Sequence, residues 1–379
     1  MKVLALAGDV DALIADIRLR TPLQALATRM GWTLQLTSLH ACTRADLASA
    51  QALVVQRAFS RRAWRWMRRM RLQGGAVLYD IDDLLTDLPS HVSNQAAVQA
   101  RQQELRLCLA EADLVTVSTE RLGRALGCPR WQVVPNSAMV LAHDEAQPAV
   151  ATHGPVNLIF ASMDKLADTM VLPALRALQE QQQGLFQVVV IGPAAAMFEA
   201  AGLQVRALPL MPRVDFLQFV RGLPQPLAVI PLEDSLFASC KSAIKWMDYA
   251  AAGIPCLCSR VSPYIDVVQH DQTGALVAND PSSWQAALHL AMRNSDWRRR
   301  VGAGARHEVL ARHTLEHSVD AWRDAVELAC QHRGPGRLEP PEARWRLQEA
   351  AGASAERLVQ GLRNFNRARL AKRQAQRLR

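Results

Sequence analysis

The sequence predicts an α/β protein with two doubly wound parallel sheets that face a cleft, followed by a basic helical tail. Short apolar runs alternate with amphipathic helical segments, the alternation pauses between residues 142 and 155, and arginines recur from residue 337 onward. At 379 residues, the chain is long enough to bury two cores. We therefore predict a first domain at residues 1–150, a second at 151–333 and the tail at 334–379.

Twelve short apolar runs have the length and the bounding turn residues of buried strands. Six lie in each domain, at residues 3–7, 33–36, 52–55, 76–79, 114–117 and 132–134, then 156–161, 187–191, 204–207, 227–230, 256–258 and 275–277. Helices are predicted between them, among them 60–72 and 94–111, and Thr21 and Thr119 are placed to cap helix N-termini. Strands that are joined through helices form parallel sheets covered on both faces.

The composition argues against several classes of protein. No run of about 20 apolar residues occurs, so no membrane-spanning helix is predicted. The seven cysteines lack the spacing of disulfide frameworks or zinc sites, which favours a reducing compartment and a cytoplasmic location. Gly302-Ala303-Gly304 lies in helical sequence rather than after a strand, and no P-loop pattern occurs. Nicotinamide, flavin and P-loop enzymes are therefore disfavoured.

A basic segment that precedes a glycine and a proline predicts an anion site. Its spacing predicts a helix with Lys241, Ser242 and Lys245 in the first turn and an end near Gly253. Free backbone N–H groups, a hydroxyl and two ammonium groups in one turn can meet a phosphate. Asp248 shares a face with the two lysines. The same spacing is equally compatible with a surface helix that carries a Lys–Asp pair and a glycine cap.

Several segments occur in an order that resembles a known family. They are Tyr79-Asp80-Ile81-Asp82-Asp83-Leu84 at a strand end, residues 112–119 before a helix, the turn at Asn136, residues 241–255, and Thr273-Gly274-Ala275-Leu276-Val277. Over about residues 1–330 the chain resembles the GT-B glycosyltransferases, specifically the retaining nucleotide-sugar enzymes of glycosyltransferase family 4. The resemblance implies two Rossmann-like domains, with an acceptor site in the first and a donor site in the second. It also implies that a nucleoside-diphosphate sugar is the donor substrate and that no cofactor is tightly bound.

The resemblance assigns roles to residues of the second domain. The family carries two glutamates eight positions apart, of which the second corresponds to Asp248 and the first to Cys240. A thiol cannot accept hydrogen bonds from sugar hydroxyls as a carboxylate does. The residues predicted to bind the donor are Lys165, Ser239, Cys240, Lys241, Ser242, Lys245 and Asp248. Lys165 is equally compatible with a solvated lysine at a helix start.

The acceptor side is predicted at the strand ends of the first domain. Asp82 and Asp83 follow a strand, where α/β sheets bind ligands, and are predicted to orient acceptor hydroxyls or to handle their protons. Their alternative role is to cap the following turn. His91, in the same loop, is the third predicted catalytic residue. Gly8, directly after the first strand, would permit close approach of a ligand to the backbone.

Two further patterns accompany this side of the cleft. Asp80-Ile81-Asp82 matches the D-x-D pattern that holds a divalent metal in the unrelated GT-A fold. GT-B enzymes usually need no metal, so none is predicted here. Additional candidate acceptor contacts follow the first strand: Asp16, Arg18 and Arg20.

The net charge of +9 is concentrated in two places. Residues 337–379 carry eleven Arg and Lys against four Glu, and residues 57–71 hold seven arginines with Trp64 and Trp66 among them. Basic segments with interleaved apolar residues fit an anionic membrane surface or a protein partner, which predicts peripheral membrane association. Nucleic acid is disfavoured because no recognised binding motif accompanies the charge.

The predicted function is transfer of a sugar from a nucleoside-diphosphate sugar to a hydroxyl of a glycan, a lipid-linked acceptor or another acceptor, with retention at the anomeric carbon. Two alternatives stay open. A catalytically inactive protein that keeps the nucleotide pocket is suggested by Cys240 and the added tail. A nucleotide-sugar epimerase of the same two-domain architecture would change the donor without any acceptor.

Overall fold

The chain forms two six-stranded sheets in which every neighbouring pair of strands is parallel. The structure is a computed structural model that describes residues 1–92, 94–141, 154–161, 167–181 and 184–333. The predicted class of two doubly wound parallel sheets is confirmed. The predicted tail, residues 334–379, lies outside the described residues.

The first sheet occupies the first third of the chain. Its strands are β1 Lys2–Ala7, β2 Thr33–Ser38, β3 Ala52–Gln56, β4 Ala76–Ile81, β5 Leu114–Val117 and β6 Trp131–Val133, in the spatial order β2-β1-β3-β4-β5-β6. The helices are α1 Leu13–Ala15, a π-helical turn Asp16–Arg20, α2 Thr21–Met30, α3 Arg44–Ala48, α4 Arg61–Leu72, α5 Gln95–Gln99, α6 Gln102–Glu111 and α7 Glu120–Leu126. The helix predicted at residues 94–111 is divided into α5 and α6, because Arg101 leaves the helical conformation (φ −118°, ψ 19°); Gln102 then donates to the backbone oxygen of Leu85 (2.7 Å).

The second sheet repeats the same architecture. Its strands are β7 Val156–Ala161, β8 Phe186–Ile191, β9 Val205–Leu208, β10 Pro226–Ile230, β11 Cys256–Ser259 and β12 Ala275–Val277, in the order β12-β11-β10-β7-β8-β9. The helices are α8 Ala167–Gln181, α9 Ala195–Ala200, α10 Arg213–Arg221, α11 Leu236–Ser239, α12 Ile244–Ala251, α13 Tyr264–Val267, α14 Pro281–Arg293, α15 Ser295–Arg312 and α16 Leu315–His332. No helix within the described residues is long and apolar enough to cross a membrane.

Both sheets are buried on two faces, as their nearly continuous apolar strands require. In β3, Leu53 and Val55 pack on one side with Met67 of α4, while Val54 packs on the other side with Leu23 of α2. All seven cysteines are unpaired thiols, and the predicted core residues Cys256 and Cys258 are fully buried in β11.

The last described helix, α16, returns to the first sheet. Trp322 and Val326 are fully buried in one cluster with Val3, Ala5 and Leu78 of that sheet. The second half of the chain thus contributes a helix to the core of the first half. The division of the chain at residues 150 and 333 stays a prediction. It did not anticipate that α16 packs on the first sheet.

The segment at α11 also packs against the first sheet. Phe237 and Cys240 are buried in the same apolar cluster as Tyr79 of β4 and Val117 of β5. The hydroxyl of Thr119 donates to the backbone oxygen of Cys240 at 2.8 Å. The segment after β10 is therefore held against the strand ends of the first sheet, which brings the loops of both halves together.

Gly302 of α15 packs directly on the turn that ends α12. A Cβ atom at this position would lie 2.3 Å from the backbone oxygen of Gly253. This clash could be removed only by a shift of the backbone. We expect Gly302→Ala to lower the free energy of unfolding by about 1–3 kcal/mol and the melting temperature by several degrees. Thermal denaturation would measure this, with Gly8→Ala as the control because no atom lies within 4 Å of its added Cβ. Equal melting temperatures for the two variants would contradict the close packing.

Candidate functional site

The loops at the carboxyl ends of the two sheets face each other. Lys241, which precedes α12, lies with its Nζ 3.8 Å from Oδ1 of Asp83, in the loop after β4. Nε2 of His91, also in the loop after β4, lies 3.7 Å from Oε2 of Glu233, in the loop between β10 and α11. Ligands of α/β folds bind outside the carboxyl ends of parallel strands, so this meeting of loops is the candidate site.

Asp82 and Asp83 share one cation, Arg57. One guanidinium nitrogen of Arg57 lies 3.3 Å from Oδ1 of Asp82, and the other donates to Oδ2 of Asp83 at 3.1 Å. Arg57 directly follows β3 and has a left-handed backbone conformation with φ of 48°. Residues other than glycine rarely adopt this conformation. These carboxylates thus pair with cations, in addition to any role in the turn that follows.

Asp82 has unusual proton chemistry. Its side chain is only 8% exposed, and Oδ1 is buried without a hydrogen-bond partner. Burial raises the pKa of Asp82 to about 6, although Arg57 acts in the opposite direction, and the negative charge of Asp83 adds to the rise. A carboxyl group with this pKa can gain or lose a proton near neutral pH.

The structure corrects the prediction that Asp80 and Arg18 face the cleft. Both are fully buried, and the guanidinium of Arg18 binds both carboxylate oxygens of Asp80, at 2.6 and 3.1 Å. Thr116 also donates to Asp80 at 2.7 Å. Asp80 still belongs to β4, where its side chain points into the layer between the sheet and α16, whereas Asp82 lies beyond the strand end. The D-x-D pattern is therefore split, and no group of three metal-ligating side chains occurs among the described residues.

Arg18 connects the first sheet to the loop before α12. It donates to Oδ1 of Asn136 at 2.9 Å, and Nδ2 of Asn136 donates to the hydroxyl of Ser242 at 2.7 Å. Its guanidinium also lies 5.9 Å from the ring centre of Trp322. This buried network fixes the position of Ser242, a predicted donor-binding residue.

The predicted helix start is wrong by three residues. The structure begins α12 at Ile244, so Lys241 and Ser242 lie in the turn between α11 and α12, and Lys245 alone occupies the first helical turn. The chain must turn here because Phe237 and Cys240 pack in the first core, while Trp246 and Met247 of α12 pack in the second. Ala243 at the N-cap has no side chain to bind the first N–H groups of α12, which leaves them directed toward the turn.

The cation of this turn is partly exposed. Lys241 is 29% exposed, and its Nζ lies 4.4 Å from the ring centre of Phe237. Ser239 precedes it and donates from its hydroxyl to the backbone oxygen of Leu236. Lys241, the hydroxyl of Ser242 and the first turn of α12 together form an arrangement that suits an anion.

The side chains of Cys240 and Asp248 are both engaged within the protein. Cys240 is fully buried, and burial raises the pKa of its thiol. The carboxylate of Asp248 binds Arg213 of α10 through both oxygens, one of them at 2.8 Å, and its Oδ1 accepts from the backbone N–H of Met139 at 3.3 Å. Arg213 also donates to the backbone oxygen of Ser137 at 2.8 Å. Asp248 thus anchors the segment that joins the two halves, and its predicted contact with the donor stays a prediction.

The remaining predicted residues lie at different distances from this site. Gly8 is exposed at the end of β1 with open space around it, and His91 is 44% exposed in the loop after β4. Lys165 lies outside the described residues. Sequence reasoning missed Arg57 and Glu233. Both follow a buried strand closely, which is the one signal that was present.

Helix α4 uses much of its positive charge internally. Arg68 and Arg71 lie 3.4 Å from the carboxylate of Glu111, and Arg71 lies 3.5 Å from that of Asp113. Arg61 lies 3.8 Å from Glu104. The apolar side chains of this helix are buried in the first core: Ala63, Trp66, Met67 and Met70. Membrane association of this helix and of the tail stays a prediction.

Comparison with known proteins identifies the class of this fold. Residues 174–324 match the family model described as glycosyl transferase-like. The fold is similar to sucrose-phosphate synthase from Thermosynechococcus elongatus, with a TM-score of 0.62 and 16% identity over 86% of this chain and 99% of that one. It is also similar to HepE from Anabaena, solved in complex with UDP and glucose, with a TM-score of 0.59 and 13% identity over 86% of this chain and 99% of that one.

A putative UDP-N-acetylglucosamine 2-epimerase from Listeria monocytogenes matches with a TM-score of 0.52 and 12% identity over 90% of this chain and 99% of that one. Comparison with curated protein sequences gave no significant match. The chain has the GT-B fold, as the resemblance implied. Residues 174–324 are similar to the glycosyl transferase-like family model, whereas membership of family 4 stays a prediction.

Proposed function

We propose that the protein is a glycosyltransferase that moves a sugar from a nucleoside-diphosphate sugar to an acceptor hydroxyl with retention. One observation carries the proposal: the cationic turn at Lys241 and Ser242 faces the paired carboxylates Asp82 and Asp83 across the strand ends of two parallel sheets. A transferase of this kind needs a phosphate-binding wall and a hydroxyl-binding wall that meet at one place. The glycosyl transferase-like match supports the same class.

On the donor side, Lys241, Ser242, Lys245 and the N–H groups of α12 hold the diphosphate in this proposal. When the bond between the anomeric carbon and the diphosphate oxygen breaks, the electron pair stays on the diphosphate. Preorganised cations and N–H groups stabilise that developing charge, and removing one such donor commonly costs about 100- to 1,000-fold in rate. HepE was solved with UDP, which supports a nucleoside diphosphate as the ligand class. Lys165 stays a proposed further phosphate contact.

On the acceptor side, Asp82 orients the attacking hydroxyl and accepts its proton as the new bond to the anomeric carbon forms. The buried carboxyl group of Asp82 lies beside Arg57, and Asp83 pairs with both Arg57 and Lys241, which supports Asp82 as a proton acceptor next to the phosphate wall. Asp83 thereby links the two cations. Gly8 leaves room for the acceptor at the end of β1.

Nucleotide-sugar epimerisation is the second candidate, favoured by the similarity to the Listeria putative epimerase. Product analysis by mass spectrometry after incubation with nucleotide sugars, with and without glycan and lipid-linked acceptors, separates the candidates. A glycosylated acceptor plus free diphosphate supports the transferase. An isomeric nucleotide sugar formed without an acceptor overturns it in favour of the epimerase. Binding without either product supports an inactive nucleotide-binding protein.

A further inference from the structure

Glu233 provides a carboxylate that no prediction used. It lies three residues after the end of β10, and its Oε2 lies 3.7 Å from Nε2 of His91 on the opposite wall. The hydroxyl of Ser235 donates to the other oxygen, Oε1, at 2.9 Å, and thereby fixes the carboxylate in place. The side chain of Glu233 is 21% exposed, so the pair is accessible rather than sealed in a core.

The pair stands beside the proposed phosphate site. The contacts of His91 with Glu233 and of Asp83 with Lys241 both start from the loop after β4, which carries Asp83 and His91. They reach the two segments that flank the four-residue helix α11, with Glu233 before it and Lys241 after it. A diphosphate held at Lys241 has its sugar attached to the outer phosphate. That sugar must lie between the phosphate wall and the opposite wall, which is the space that His91 and Glu233 span.

The chemistry of the pair suits hydroxyl groups. A carboxylate accepts hydrogen bonds from two adjacent hydroxyls, and an imidazole can donate or accept one. The two residues at the family's glutamate positions have other partners, since Cys240 is buried in the first core and Asp248 binds Arg213. Hydroxyl-bearing ligands need a few well-placed polar groups to fix their orientation.

We propose that Glu233 and His91 bind hydroxyl groups of the donor's sugar from opposite walls of the cleft and so determine which sugar is accepted. This inference rests on the proposed function, because it takes the ligand to be a nucleotide sugar. On binding, the sugar replaces the direct contact between the two side chains.

The test compares binding of matched pairs: UDP with UDP-glucose, GDP with GDP-mannose, ADP with ADP-glucose, and dTDP with dTDP-glucose. Isothermal titration of the full chain gives the dissociation constant of each. For Glu233→Gln we expect the affinity for the sugar nucleotide to fall by about tenfold or more, because hydrogen bonds to a charged group are among the strong ones, while the affinity for the diphosphate stays within about twofold. His91→Ala should act in the same direction. Asp234→Asn is the matched control, since it removes the same charge from the neighbouring exposed residue.

The outcomes separate this inference from the proposed function. If the wild type binds a pair and Glu233→Gln keeps the wild-type affinity for the sugar nucleotide, the role of Glu233 is overturned and the proposed function stands. Equal weakening for the diphosphate and the sugar nucleotide also overturns it, because the effect is then structural. A wild type that binds none of the eight compounds overturns the proposed function and this inference together.

Discussion

A Lys241→Ala variant is expected to lose about 100- to 1,000-fold in kcat/KM for sugar transfer. The lysine supplies the accessible ammonium of the turn that faces the diphosphate, 3.8 Å from Asp83 and next to Ser242. Its removal takes away a preorganised charge at the point where negative charge develops. Steady-state kinetics with the preferred donor would measure the loss, and titration with the corresponding diphosphate should show weaker binding as well.

The fold of this variant is expected to survive. Lys241 and Asp83 form a part-exposed pair, and such pairs contribute about 0–1 kcal/mol to the free energy of unfolding. Arg124→Ala is the matched control, since Arg124 is an exposed cation that pairs with Glu120 on its own helix. Wild-type kcat/KM in Lys241→Ala, or an equal loss in Arg124→Ala, would show that the turn does not hold the leaving group.

Asp82→Asn is expected to lower kcat by about 100- to 10,000-fold at pH 7.5, because the variant cannot accept the acceptor's proton. In the wild type, kcat/KM should rise with pH through about 6, since burial raises the pKa of Asp82 to about 6 and only the ionised carboxylate is a base. The variant should lack this limb of the profile. A pH–rate series from pH 5 to 8 on both proteins is the measurement.

The melting temperature of Asp82→Asn shows whether a loss of rate comes from the missing base or from unfolding. A carboxyl group whose pKa is raised in the folded state contributes stability below its unfolded pKa, and that contribution is lost as the pH rises through about 6. The ionised, buried Asp82 is therefore unfavourable for folding at pH 7.5. Asp82→Asn should melt no lower than the wild type there. A variant that retains the wild-type rate and pH profile would exclude Asp82 as the base.

The strands and their order of alternation with helices could be predicted because apolar runs bounded by turn residues are a local signal. What failed depends on tertiary structure. The start of α12 was placed too early because nothing local shows that Phe237 and Cys240 pack in the first core. Asp80 and Asp82 have the same parity along the chain, so alternation cannot separate them. They differ because β4 ends at Ile81, which leaves Asp80 under Arg18 and Asp82 in the loop.

The sequence predicted where the site lies better than it predicted which side chains pair with each other there. Carboxyl ends of parallel strands meet at one edge, so Asp82 and Asp83 in the loop after β4 were predicted from the strand alone, whereas the turn at Lys241 was predicted from its basic residues and the family resemblance. Their pairings join distant residues: Arg57 binds Asp82 and Asp83, His91 meets Glu233, and Arg213 binds Asp248. Such partners depend on loop geometry, for which a single sequence has no periodic signal.

Binding of a nucleoside diphosphate at the cationic turn is the claim on which the proposed function depends. A thermal-shift panel of UDP, GDP, ADP, CMP and dTDP, each without and with Mn²⁺, addresses it with the full chain. A ligand at 100 times its dissociation constant stabilises the folded state by about 2.7 kcal/mol, which raises the melting temperature by a few degrees. We expect one diphosphate to do so without metal in the wild type and to lose most of the shift in Lys241→Ala. No shift with any of the five, or an undiminished shift in Lys241→Ala, would contradict the proposed donor site.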